Sequence, residues 1–305
     1  MKIFAKSIIR NLCRIINHLG LMPKTIVIHS DGGICSQMHF YLIGEILRDR
    51  GHDVKFDYEW FKSWGKDING QFCRNLDIGK LFPYLNLRVC NQLVAKLYRT
   101  FFLYSNNYFE DNGENLKWIE FNGPCYMDGY YHDPEEMYTK YFRDVFKIDE
   151  DVLDDKNKNL LTTIKRSNGE VCAIHVRRGD LSNYLESYGN PASIEYFIKS
   201  INLIASMNPE VKFFMFSDEP DWCKGMLLPE LSDYNIKLCP DNGSDKGYCD
   251  LILMSRCKYI ITSQGSLGKY AAMLRPEAIR SGLVTLIDNQ SSKEWISRFD
   301  NCIII

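Results

Sequence analysis

Residues 171–180 read VCAIHVRRGD, and the fold turns on how that stretch is read. Val171, Ala173, Ile174 and Val176 make a short apolar run, punctuated in front by Gly169. The pattern predicts a buried strand. At its carboxyl end stand His175, Arg177, Arg178, Gly179 and Asp180. In open α/β sheets ligands bind beyond the carboxyl ends of strands, so a site is expected here. Two adjacent guanidiniums offer about ten N–H donors in fork geometry, which suits a diphosphate better than a point charge does. The plainer alternative is a pair of surface arginines matched by Asp180 and nearby acids.

Toward the carboxyl terminus, helices and strands alternate. A helix capped by Ser193 carries Ile194, Phe197, Ile198, Ile201 and Ile204 on one face. Strands are expected at Val211 to Phe216, Ile236 to Cys239, Lys258 to Thr262 and Leu283 to Ile287. Helices open at Asp221 and span Tyr248 to Cys257 and Ser263 to Leu274. With the 171–176 run, these make a parallel, doubly wound domain over 151–290, with 291–305 left as a tail. Thr262 to Lys269 (TSQGSLGK) runs from strand through a Gly/Ser turn into helix. Free N–H groups around Ser263, Gly265 and Ser266 would face the same edge as Arg177 and cradle an anion. A small-residue turn with a capping serine reads the same residues without a ligand. Asp250, one helix earlier, is either an acceptor for a base or ribose hydroxyl or an ordinary helix acid.

On the amino side, Lys24 to His29 predicts a strand, Ser30-Asp31-Gly32-Gly33 a tight turn and Ser36 to Arg50 an amphipathic helix closed by Gly51. Asp53 to Tyr58 follows as a second strand, a βαβ opening for a domain over 23–150. Gly32 and Gly33 serve either turn geometry or close backbone approach to a ligand. No G-x-G-x-x-G follows either first strand, which argues against a nicotinamide-linked oxidoreductase. Residues 60–122 are aromatic-rich and irregular, with a helix expected over Leu93 to Tyr104. Cys125 to Tyr131 reads as a strand, and Pro134 as the start of a helix to about Phe146. Asp149 to Asn159 is the sharpest shift in composition and marks the domain boundary. Asp149-x-Asp151 formally matches a metal-holding D-x-D, but it lies in a solvated acidic run, so no metal is expected there.

Residues 1–22 pattern as a basic amphipathic helix, with Phe4, Ile8, Leu12, Ile15, Ile16 and Leu19 on one face and Lys2, Lys6, Arg10 and Arg14 between them. Those charges argue against a transmembrane span and a signal-peptide core. The segment either lies on an anionic membrane or packs on its own domain with its lysines outward. The whole chain of 305 residues carries a formal net charge of −2, enough length for two domains and too little positive charge for a nucleic-acid binder. Its eleven cysteines form no C-x-x-C pair and no zinc spacing. A reducing, cytoplasmic compartment without disulfides is expected, at the inner face of the membrane if residues 1–22 lie on it.

Four blocks together resemble the α1,2-fucosyltransferases, glycosyltransferase family 11. His175-Val176-Arg177-Arg178-Gly179-Asp180 is similar to that family's H-x-R-R-G-D. Asp31 to Met38 (DGGICSQM) resembles its G-G-L-G-N-Q-M, and Phe216 to Cys223 (FSDEPDWC) its F-S-D-x-x-x-W-C. Asp250 to Leu274 resembles its D-x-x-x-M-x-x-C…G-[TS]-x-G-x-[WY]-A-A-x-L. The likeness spans roughly residues 24–290 and departs at Ile34-Cys35-Ser36, where the family has L-G-N.

The resemblance implies a GT-B-type α/β fold, two Rossmann-like doubly wound domains facing across a cleft. It also implies GDP-fucose as donor, inversion at the anomeric carbon, no metal requirement and a galactose-like acceptor in a glycan. On that likeness Arg177 would hold the β-phosphate and Arg178 buttress it. His175 and Asp250 would contact guanosine, Ser266 with Ser263 and Gly265 the pyrophosphate. Gly32, Gly33 and Gln37 would line the fucose and acceptor side. Asp31 and Asp180 are the candidates for general base. Another fucosyl linkage, and an inactive GDP-sugar or glycan-binding relative, remain the alternative readings.

Overall fold

The computed structural model describes residues 7–9, 11–12, 15–16, 19–21, 23–67, 70, 72–106, 124–129, 137–167, 170–179 and 190–305. Tyr130, Tyr131, Pro134 and Asp180, all named above, lie outside the described residues. The chain divides into two compact units, residues 1–146 and 147–305.

Unit 1 is built on four parallel strands, β1 (Thr25–His29), β2 (Asp53–Asp57), β5 (Leu103–Asn106) and β6 (Cys125–Gly129). A small antiparallel pair, β3 (Lys66–Asp67) and β4 (Phe72–Cys73), stands apart from them. The main sheet runs in the order β2-β1-β6-β5. Helix α1 (Ile34–Asp49) makes the crossover from β1 to β2. Its buried residues recur from Ile34 to Leu47, and Gly44 fits over Phe56, where an added Cβ would stand 2.7 Å from the ring. The helix expected over Leu93 to Tyr104 is shorter: α2 (Gln92–Phe101) ends there, and Leu103 begins β5. Leu103 to Asn106 pairs in register with Tyr126 to Gly129, so the partner strand sets this segment, whatever its local helical pattern.

Unit 2 holds a six-stranded parallel sheet in the order β12-β11-β10-β7-β8-β9. The strands are β7 (Val171–Val176), β8 (Lys212–Ser217), β9 (Ile236–Leu238), β10 (Tyr259–Ile261), β11 (Val284–Leu286) and β12 (Cys302–Ile304). All six residues of β7 are buried, as a strand covered on both faces requires. Fully burying an Ile or Val side chain contributes about 1.5–3 kcal/mol, so this run anchors the domain. Helix α3 (Asp155–Lys165) precedes the sheet, and α4 (Ile194–Met207) packs Phe197, Ile201 and Ile204 into its core. Helices α5 (Gly247–Met254), α6 (Leu267–Met273) and α7 (Gln290–Trp295) follow.

The tail expected over 291–305 is not one. Its last residues form β12, which pairs with β11 from Val284↔Cys302 to Leu286↔Ile304 and completes the sheet. Every described cysteine is a free thiol, and nearly all are buried. Among the described residues, no helix is long and apolar enough to cross a membrane.

Candidate active site

In unit 2 the chain starts at β7, builds outward through β8 and β9, then returns to place β10 against the other side of β7. The strand order therefore reverses between β7 and β10. Crevices at such a switch point, beyond the carboxyl ends, are where open α/β sheets bind ligands. The residues brought to this edge are His175 to Arg178 from β7, Ser217 to Trp222 from β8 and Ser263 to Leu267 from β10.

Three groups hold the β7 tip. The Arg177 N–H donates to Ser263 Oγ at 2.8 Å, and the Arg178 N–H donates to Asp218 Oδ1 at 3.0 Å. Arg177 Nη1 lies 2.8 Å from the other oxygen, Asp218 Oδ2. One carboxylate thus fixes the backbone of one arginine and the guanidinium of its neighbour. The Arg178 guanidinium lies 3.8 Å over the Trp222 ring, with Glu219 Oε2 3.9 Å from its Nε. Both arginines keep part of their surface open. Among the described residues, acids that match them are Asp218 and Glu219, where the sequence reading named only Asp180 and nearby acids.

His175 is only 5 % exposed. Its Nδ1 lies 3.2 Å from Ser263 Oγ, and α6 passes close above it at Gly268, where a Cβ would stand 2.9 Å from Nδ1. Burial, with Arg177 and Lys269 nearby, pushes the imidazole down to about 3, so it is neutral at physiological pH. A ligand contact from His175 is confined to the small part of the ring left open. Ser263 is wholly buried, and its hydroxyl joins the β7 tip to the imidazole. Its hydroxyl is therefore used inside the protein, and of the pyrophosphate contact expected of Ser263 only its backbone is left to make one. Gly265 is exposed with φ +79°, and Ser266 is partly open, its side chain making no capping bond to α6. These two remain available to a ligand.

Gln264 is a residue the sequence reading passed over. It is buried, accepts the Ala192 N–H at 2.9 Å and donates to the Asn190 carbonyl, tying the segment before α4 to this edge. Only its tertiary contacts reveal that role.

Asp250 stands one turn into α5, after the loop that leaves β9. Asn242 Nδ2 donates to its Oδ1 at 2.6 Å, and Asn157 Nδ2 donates to Asn242 Oδ1 at 2.9 Å. Asn157 also donates to Asp154, the N-cap of α3. Burial pushes the Asp250 carboxyl up to about 7, against the hydrogen bond from Asn242, although the residue keeps part of its surface open. The acid is built into a polar chain and is no ordinary helix-surface carboxylate.

Unit 1 has a switch point of its own, between β1 and β6. Gly32 takes φ +73°, as the turn after β1 demands, and Gly33 leads into α1 in extended conformation. Ile34 and Cys35 are buried in the first turn of α1, so the departure at 34–36 leaves the helix start intact. Asp31 is partly open, 3.8 Å from His29 Nε2, and His29 Nδ1 lies 3.4 Å from the Tyr126 hydroxyl. Tyr126 donates to Asp57 at 2.6 Å, and burial followed by that carboxylate raises its phenol.

Gln37, expected to face substrate, turns inward. It is 1 % exposed and donates to the carbonyls of Gly32 (3.1 Å) and Asn75 (2.8 Å). Its Oε1 accepts the N–H groups of Asp77 (2.9 Å) and Ile78 (3.0 Å). Both amide protons and both lone pairs are used, so Gln37 positions the glycine turn and the 75–78 loop. Asp149 caps the short turn that follows it, its Oδ1 accepting the Asp151 N–H at 2.9 Å.

The sequence profile of glycosyl transferase family 11 matches residues 83–302, which takes in the whole unit 2 site. The chain belongs to glycosyltransferase family 11. An alpha-1,2-colitosyltransferase of Escherichia coli is 24 % identical over 285 residues, 89 % of this chain and 94 % of that one. Among solved structures, the E. coli ADP-heptose heptosyltransferase II is similar with TM-score 0.45 and 11 % identity, covering 92 % of this chain and 90 % of that one. POFUT1 in complex with GDP-fucose is similar with TM-score 0.37 and 12 % identity, covering 81 % and 93 %. Membership makes the protein a glycosyltransferase using a nucleotide-activated sugar, with two parallel α/β units of the kind expected.

Proposed function

We propose that this family 11 member transfers fucose from GDP-fucose to the 2-hydroxyl of a galactose-like residue in a glycan, with inversion and without a metal. The arginine pair at the β7–β10 switch point carries this reading. Arg177 takes the β-phosphate with its fork, and Arg178, stacked on Trp222, holds the strand tip in place. Ser266 and the turn at Gly265 meet the diphosphate from the β10 side. Charge that builds on departing GDP is then met by fixed donors that need not reorganise during the reaction. Asp250 accepts from the nucleoside, its position set by Asn242 and Asn157. Asp31 and Asp180 stay the two candidates for the base that takes the proton of the attacking hydroxyl. The transfer forms one glycosidic bond, breaks the bond to the β-phosphate oxygen and passes the hydroxyl proton to the carboxylate.

The test is incubation with labelled GDP-fucose and a panel of galactosides, followed by linkage analysis of the product. Transfer to a 2-hydroxyl supports the reading, another linkage corrects the acceptor, and binding without transfer makes the chain a GDP-sugar-binding relative. Arg177→Ala is expected to abolish transfer with the fold retained. Turnover near wild type in that variant would refute the assigned role.

A further inference from the structure

Ahead of β1 lies a segment that the donor site does not use. Its described residues are helical at 7–9, 11–12 and 15–16. Ile8, Ile9, Leu12, Ile15, Leu19 and Leu21 all stand exposed, Leu12 at 55 % and Leu21 at 73 %. A helix packed on its own domain would hide such residues. Here only Ile16 is even partly covered among the described ones. So many large aliphatic side chains in one short stretch mark an interaction surface.

Charge indicates what covers it. The segment carries Lys2, Lys6, Arg10, Arg14 and Lys24, and no Asp or Glu precedes Asp31, in a chain whose net charge is −2. Cations recurring between aliphatic residues match a surface that is acidic outside and apolar just beneath, as the headgroup region of an anionic bilayer is. A second exposed strip in unit 1 makes the contrast. Val89, ahead of α2, and Leu93 and Leu97, on it, are exposed, but the neighbouring Arg88 and Arg99 are paired with Asp53 and Asp128. Acids lie among the bases there, Asp53 and Asp128 beside Arg88, Lys96 and Arg99, so that strip carries no comparable argument.

We infer that this segment is a peripheral anchor, laying Ile8, Ile9, Leu12, Ile15, Leu19 and Leu21 into the interface of a bilayer that bears acidic headgroups. The inference is independent of the proposed transfer reaction. It is tested by sedimenting the full chain with phosphatidylcholine vesicles made with and without phosphatidylglycerol. Binding is expected only to the acidic vesicles and is expected to weaken as salt is raised. Each basic residue near such a surface is worth about fivefold in partitioning, so Arg10→Gln with Arg14→Gln should lower it about 25-fold. Leu12→Asp with Ile15→Asp should lower it at least about tenfold through the aliphatic side. Both double variants should keep the circular dichroism spectrum and the transfer rate on a soluble acceptor. Equal binding to both vesicles, binding to neither, or a dimer in solution that Leu12→Asp with Ile15→Asp dissolves would each overturn it.

Discussion

Asp250→Asn separates what Asp250 does for binding from what it does to the fold. Burial raises the carboxyl from 3.8 to about 7, so between those values the unfolded chain ionises while the folded chain holds its proton. Stability attached to this group is complete below about pH 4 and is lost as pH rises toward 7. The full shift corresponds to about 4 kcal/mol at most. Because part of the residue stays open to solvent, we expect about 2 kcal/mol of it to survive screening. Asparagine keeps the shape and an oxygen for Asn242 and cannot ionise. The variant should therefore match the wild type near pH 4 and melt higher at pH 8, by about 2–4 °C for each kcal/mol. GDP affinity should fall in the same variant, since a carboxylate acceptor is replaced by an amide that also donates. Thermal melts from pH 4 to 8, with isothermal titration of GDP, check both halves. A melting difference that stays constant across pH would refute the buried-carboxyl argument.

Three further outcomes follow from the geometry. Gly268→Ala places a methyl 2.9 Å from His175 Nδ1 and should cost about 1–3 kcal/mol in urea unfolding, with weaker GDP binding as the β7 tip shifts. Gln37→Leu strands the carbonyls and N–H groups of residues 32 and 75–78, each at about 1–3 kcal/mol if left without water. It should destabilise unit 1, read by hydrogen exchange in the 75–78 loop, without changing GDP affinity. Asp218→Asn loses the charge facing Arg177, and a lower affinity for GDP together with faster exchange at the 177–178 amides is the expected result.

What could be read without coordinates was whatever is written locally. The buried run 171–176, the strands at 212 and 259 and the Gly/Ser turn before α6 declare themselves by apolar patterning and punctuation. The arginine pair was legible as a candidate because it follows a strand, which is where the structure places it. Longer-range features were not. Cys302 to Ile304 looks like a few apolar residues at a chain end until β11 is there to pair with it. Leu103 to Asn106 continues a helical pattern and becomes a strand only against β6. Gln37 and Ser263 carry polar groups in the right neighbourhood, and only the backbone around them shows that those groups are spent inward.

The reversal of strand order in unit 2 has a consequence for how the protein matures. In the proposed reading, the two walls of the donor crevice come from residues 175–178 with 217–222 and from 263–267, separated along the chain by β9 and α5. A nascent chain that has made only β7, β8 and β9 has the arginines but nothing opposite them. Ser263 is missing from beneath Arg177, and α6 is missing from above His175. Nucleotide capture therefore reports a late event, the insertion of β10 beside β7. Release of ribosome-bound intermediates of increasing length should show GDP binding appear abruptly once the chain extends past α6.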